Sequence, residues 1–119
     1  MDRLKKRDPK SYRPDMALKT FKKADYRKAL RRIVPLAPML AANTILDRAQ
    51  SSHMSRLPPG IAVWQATVSH IRHAETDYEA LLSDGYDRGA ARYFVLDDMN
   101  AVLEQWGSSQ FLSTEDDVS

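Results

Sequence analysis

Apolar residues recur along this chain at helical spacing, and no segment sustains the two-residue period of a half-buried strand. After Asp25, the residues Tyr26, Ala29, Leu30, Ile33 and Val34 fall at i, i+3, i+4, i+7 and i+8, one face of a helix. Asp25 stands where an N-cap belongs, and Pro35 and Pro38 end the segment. Pro38 then opens a second helix that runs to about Gln50, with Met39, Ala42, Leu46 and Ala49 on one side. SSHMSRLPPG, residues 51–60, has the composition of a turn-forming linker. A third helix from Ile61 aligns Ile61, Trp64, Val68 and Ile71. Gly85 sits just past Leu81 and Leu82, where a glycine closes a helix. A last helix follows Asp87, buries Ala91, Val95, Met99, Val102 and Trp106, and ends at Gly107. Met16 and Phe21 suggest one more short helix near Asp15. The pattern therefore predicts an all-α fold, a small bundle of four to five helices forming one domain over residues 15–107. A flexible basic arm, residues 1–14, precedes it, and an acidic disordered tail, residues 108–119, follows.

Composition narrows the chemistry. The 119 residues suffice for one domain with a modest core. The absence of cysteine excludes a disulfide framework, a thiolate zinc site and a cysteine nucleophile, and it fits a reducing compartment. MDRLKKRDPK lacks the apolar stretch of a secretory signal, and no apolar run approaches the ~20 residues of a membrane span. A cytoplasmic protein with no membrane partner is the expectation. The phosphate-cradling GxxxxGK[ST], the dinucleotide GxGxxG and the GxSxG nucleophile turn are all missing.

Charge is divided along the chain. Residues 1–32 hold 13 Lys/Arg against 4 Asp/Glu, whereas residues 33–119 hold 5 against 12. Lys22, Lys23, Arg27, Lys28, Arg31 and Arg32, with Lys5, Lys6, Arg7 and Lys10 of the arm, form the largest like-charge cluster. Several cations acting together can neutralise phosphates and release their counterions, so DNA or RNA is the expected partner. Tyr12, Phe21 and Tyr26 lie among these cations and are candidates for stacking on unpaired bases. The competing readings are that the arm neutralises the acidic domain of its own chain or of a homodimer partner, and that the chain is an interaction subunit.

HIRHAETDYEALL, residues 70–82, carries the other candidate chemistry. On an unbroken helix His70, His73 and Asp77 lie within about 60° of one another and face away from the Ile61–Ile71 stripe. Two imidazoles and a carboxylate can hold a divalent metal and leave room for an activated water, as a metal-assisted phosphoester hydrolase requires. The H-x-x-H spacing lacks the glutamate and the wider step of H-E-x-x-H zinc helices. Thr76-Asp77-Tyr78-Glu79, moreover, reads as a capping box, with Thr76 at the N-cap and Glu79 at N3. A helix break there removes Asp77 from the row and puts both histidines in a last helical turn, where their cationic forms suit the dipole.

The same stretch resembles an uncharacterised bacterial and fungal family called domain of unknown function 2293. The resemblance rests on His70-Ile71-Arg72-His73, Thr76-Asp77-Tyr78-Glu79, Leu81-Leu82, Gly85, Arg88, Ala91-Arg92 and Trp106, and covers about residues 61–107. Upstream the agreement is looser, with SSHMSRLPPG in place of a small-residue, glycine-bearing segment. The resemblance implies a helical domain and no particular activity. It draws attention to His70, Arg72, His73, Thr76, Tyr78, Arg88 and Arg92, which a hairpin of the last two helices would gather into a pocket suited to phosphate or carboxylate. Against that stands surface pairing of Arg88 and Arg92 with Asp84, Asp87 or Glu79.

Overall fold

Each helix begins and ends where its local chemistry dictates. The computed structural model describes residues 21–114. They form α1 (Lys23–Ile33), α2 (Met39–Ala49), α3 (Pro59–Ala74), α4 (Tyr78–Ser83) and α5 (Arg88–Gln105), with no strand among the described residues. The chain is thus all-α. Residues 1–20, including the predicted arm and most of the short helix near Asp15, and residues 115–119 lie outside the described residues.

α1 starts earlier than its apolar pattern suggests. Lys22 is the capping residue, and its N–H donates to the Asp25 carboxylate at 2.9 Å. Asp25 is therefore not the N-cap but the acid of the first turn, the position a carboxylate favours at the positive end of a helix. Pro38 and Pro58 cap α2 and α3 from extended backbone, each accepting the first helical hydrogen bond on its carbonyl. Pro59 at the first turn of α3 forfeits only an N–H that no helix could use. The SSHMSRLPPG linker is less plain than its composition: Ser52–Met54 form a 3₁₀ turn that buries Met54.

α3 is the axis of the bundle, with α1, α2, α4 and α5 all packed on it. That placement rotates its buried face from the predicted one. Ala62, Val63, Ala66, Thr67 and Ile71 are fully buried, Trp64 and Val68 sit at the margin, and Ile61 is half exposed. On α2 the buried residues are Ala41, Ile45 and Ala49, and Met39 is out in solvent. Small and branched residues share the buried faces, Ala41, Ile45 and Ala49 on α2 with Ala62, Val63, Ala66 and Ile71 on α3, and small side chains let packed helices approach closely. Thr67 satisfies its buried hydroxyl by donating to the Val63 carbonyl at 2.7 Å.

Two glycine turns close the far side. Gly85 (φ 102°) and Gly107 (φ 82°) follow α4 and α5 in the left-handed region. In both, the glycine N–H and the next N–H bond back to carbonyls of the last turn, Leu82 and Leu81 after α4, Glu104 and Leu103 after α5. The segment after Gly107 does not behave as a disordered tail over its first half. Asn100 clamps Leu112 from both sides, donating to its carbonyl at 2.9 Å and accepting its N–H at 2.8 Å.

Candidate functional site

The predicted break after His73 is real, and it explains most of the motif. α3 ends at Ala74 and α4 begins at Tyr78, with Asp77 rather than Thr76 at the cap position. Thr76 stitches the break instead. Its hydroxyl donates to the Arg72 carbonyl at 2.6 Å and accepts the Tyr78 N–H at 3.2 Å. Glu79 does not turn back to the cap backbone; its carboxylate engages His73 Nδ1 across the break. The His73 ring also meets Tyr78 edge-on, with centroids 5.2 Å apart. Arg72, itself buried, lays its guanidinium over the same Tyr78 ring at 5.8 Å.

His70 points the other way. Its side chain is only 12% exposed and lies beside the buried Trp106, ring centroids 6.2 Å apart, so it joins α3 to the end of α5. Its Nε2 sits 3.6 Å from a Glu75 carboxylate oxygen, an ion-pair distance rather than a hydrogen bond. The imidazole row was expected to face away from the packing; His70 instead lies within it, because α3 is wrapped on several sides. The ligand set His70, His73 and Asp77 does not converge either, since His70 has Glu75, His73 has Glu79 and Asp77 starts α4. Among the described residues no group of three or more His, Cys, Asp or Glu could hold a metal ion.

The candidate pocket residues thus divide. Arg72 and Tyr78 are buried, His70 and Thr76 largely so, and His73, Glu79 and Arg88 are exposed. Arg92, one turn into α5 from Arg88, is half-buried and engaged. Polar identities that read as reactive in a linear sequence hold three helix ends together here.

The basic cluster behaves differently. Lys22, Lys23, Arg27, Lys28, Arg31 and Arg32 are all exposed, while Tyr26, Ala29, Leu30 and Ile33 turn inward. At 100° per residue, Lys23, Arg27 and Arg31 form one row and Lys28 and Arg32 a second, so cations hold five of the seven exposed positions of α1. The acid on this helix, Asp25, is occupied by the cap. An open groove of about 420 Å³ runs beside the second row, lined by Phe21, Lys28 and Arg32 of one wall and Pro59 and Gly60 of α3. Phe21 and Tyr26 do not project for base stacking: Tyr26 is buried and Phe21 packs edge-on against it at 6.5 Å. Tyr12 lies outside the described residues.

Residues 29–107 match the family described as "Uncharacterized conserved protein (DUF2293)". The chain belongs to the DUF2293 family. The match begins inside α1, well upstream of the residue-61 start read from polar identities, and takes in α2 and the 51–60 linker of this DUF2293 chain. Alanine and aliphatic residues hold 13 of the 32 positions from 29 to 60, and these identities are common to many helical domains. Lys22, Lys23, Arg27 and Lys28 precede the matched segment. Comparison with the curated proteins and with the solved structures returned no match. Among the described residues no helix is long and apolar enough to cross a membrane.

Two features escaped sequence reasoning. One is the groove between α1 and the start of α3, announced only by Gly60 after a proline pair. The other is a cluster of exposed rings, Tyr86, Tyr93 and Phe94, signalled by adjacent aromatics on the polar side of α5.

Proposed function

We propose that this DUF2293 chain is a small nucleic-acid-associated module that grips phosphates through the outward face of α1. The observation that supports it is the helix itself: two rows of cations on one 11-residue element, none turned into the core. Such a helix is about 16 Å long, so successive cations of a row stand ~6 Å apart along it. Lysines and arginines at that pitch can meet consecutive phosphates as solvent-facing donors. With Tyr26 committed to the core, contact is to the backbone and carries no base preference.

The test is fluorescence anisotropy of a labelled 20-nucleotide single strand and a duplex of equal length, against the full chain. With about four phosphates engaged, affinity falls roughly 100-fold between 50 and 200 mM salt. Absence of binding at 50 mM salt, or binding that salt leaves unchanged, refutes the proposal.

A further inference from the structure

α5 presents a face of opposite character to α1. Tyr93 and Phe94 stand on it 66% and 55% exposed. Their rings meet edge-on at 5.9 Å, and Tyr86 meets Phe94 at 5.4 Å, so the three form one exposed cluster. Asp97 and Asp98 follow one turn later in the same two directions, and Glu104 lies along the row of Asp97. From Tyr93 to Gln105 the helix carries no Lys or Arg. Among the described residues no ion pair joins Asp97, Asp98 or Glu104 to a cation.

Exposed rings bordered by carboxylates fit a ligand that offers guanidinium and ammonium groups, which ring faces attract and carboxylates pair. We propose that this face docks the chain's own leading segment, residues 3–13, through Arg3, Lys5, Lys6, Arg7, Lys10 and Arg13. Charge complementarity favours it: those 11 residues carry six cations and one acid, Asp8. Reach allows it as well. The eight steps from Arg13 to Phe21 span up to roughly 28 Å when extended, about the breadth of a domain this size. Tethering then supplies a local concentration on the order of millimolar, so weak ion pairs suffice, and a second molecule at micromolar concentration competes poorly. The inference rests on the α5 face and the charge of the leading segment, and is independent of the reading of α1.

The chain has no cysteine, so Ser11→Cys gives a single attachment point for a nitroxide on the full chain. In 50 mM salt the amide signals of Tyr93 to Ala101 lose at least about half their intensity in the oxidised state. They recover on reduction, in 0.5 M salt, and in the Asp97→Asn/Asp98→Asn variant, whose exposed substitutions leave the fold intact by circular dichroism. The loss persists on tenfold dilution and is absent when spin-labelled, isotopically unlabelled chain is mixed with unmodified ¹⁵N chain. Broadening centred elsewhere, no broadening, or broadening in the mixed sample overturns the proposal, the last by placing a second copy on the face.

Discussion

Replacing Gly107 by alanine tests how α5 is locked to the α1–α2 turn. Two penalties combine at this position. At φ 82° a side chain in the left-handed region costs about 1–2 kcal/mol. A Cβ there also stands 3.0 Å from Pro35 Cγ and 3.3 Å from Leu36 Cγ, and the proline ring is rigid. Overpacking of that kind costs about 1–3 kcal/mol. Alanine restricts the unfolded chain and returns roughly 0.4–1 kcal/mol. The net loss is about 2–4 kcal/mol. Gly85→Ala is the internal control: its φ of 102° imposes the conformational penalty, but no atom lies within 4 Å of the added carbon. It loses about 1 kcal/mol. Urea denaturation of both variants at 25 °C reads the difference, and thermal melts repeat it at about 4–8 °C per kcal/mol. Equal losses in the two variants refute the reasoning, because the difference isolates the contact with Pro35 and Leu36. A smaller loss at Gly107 would mean that the hydrogen bond from the Leu36 N–H to the Trp106 carbonyl, 2.9 Å long, does not hold the turn in place.

Two joints are probed by Thr76→Val, with Thr67→Val as its control, and by Asn100→Ala. Thr76→Val removes the hydroxyl that bonds both Arg72 and Tyr78 backbones and destabilises by about 1–2 kcal/mol. Thr67→Val, in the middle of α3, changes stability by only about 0.5 kcal/mol, since the Val63 carbonyl belongs to a helix already. Equal effects in denaturation would contradict the bridging role of Thr76. Asn100→Ala releases both backbone groups of Leu112, so hydrogen exchange at the Leu112 amide accelerates at least about tenfold while the α3 core amides stay protected. An unchanged Leu112 rate shows that the clamp does not form in solution.

Periodicity placed the helices well because Pro, Gly and aliphatic residues carry strong positional information. It found the buried face on α1 and α5 but not on α2 and α3. Alanine is silent in a hydrophobic count, yet Ala41, Ala49, Ala62 and Ala66 are buried on α2 and α3, while Met39 and Ile61 lie outside the core. The break at Thr76 was legible because Thr-x-x-Glu is a local pattern. The partner of Glu79 was not, because His73 reaches it only across the turn. His70 shows the same limit. Its spacing from His73 suggested shared chemistry, but its neighbour Trp106 is 36 positions away in the chain. The exposure of the α1 cations, by contrast, follows directly from the inward turn of Tyr26, Ala29, Leu30 and Ile33.

The functional account stands on α1 as a phosphate-facing helix, and charge reversal there tests it most directly. In Arg27→Glu/Arg31→Glu both substitutions sit on solvent-facing positions, so the fold is retained. Anisotropy titrations across a salt series should show the slope of log affinity against log salt shallower by about two, since each lost cation contact removes roughly one. An unchanged slope and affinity, with the helix intact by circular dichroism, would contradict the assignment of the phosphate contacts to α1.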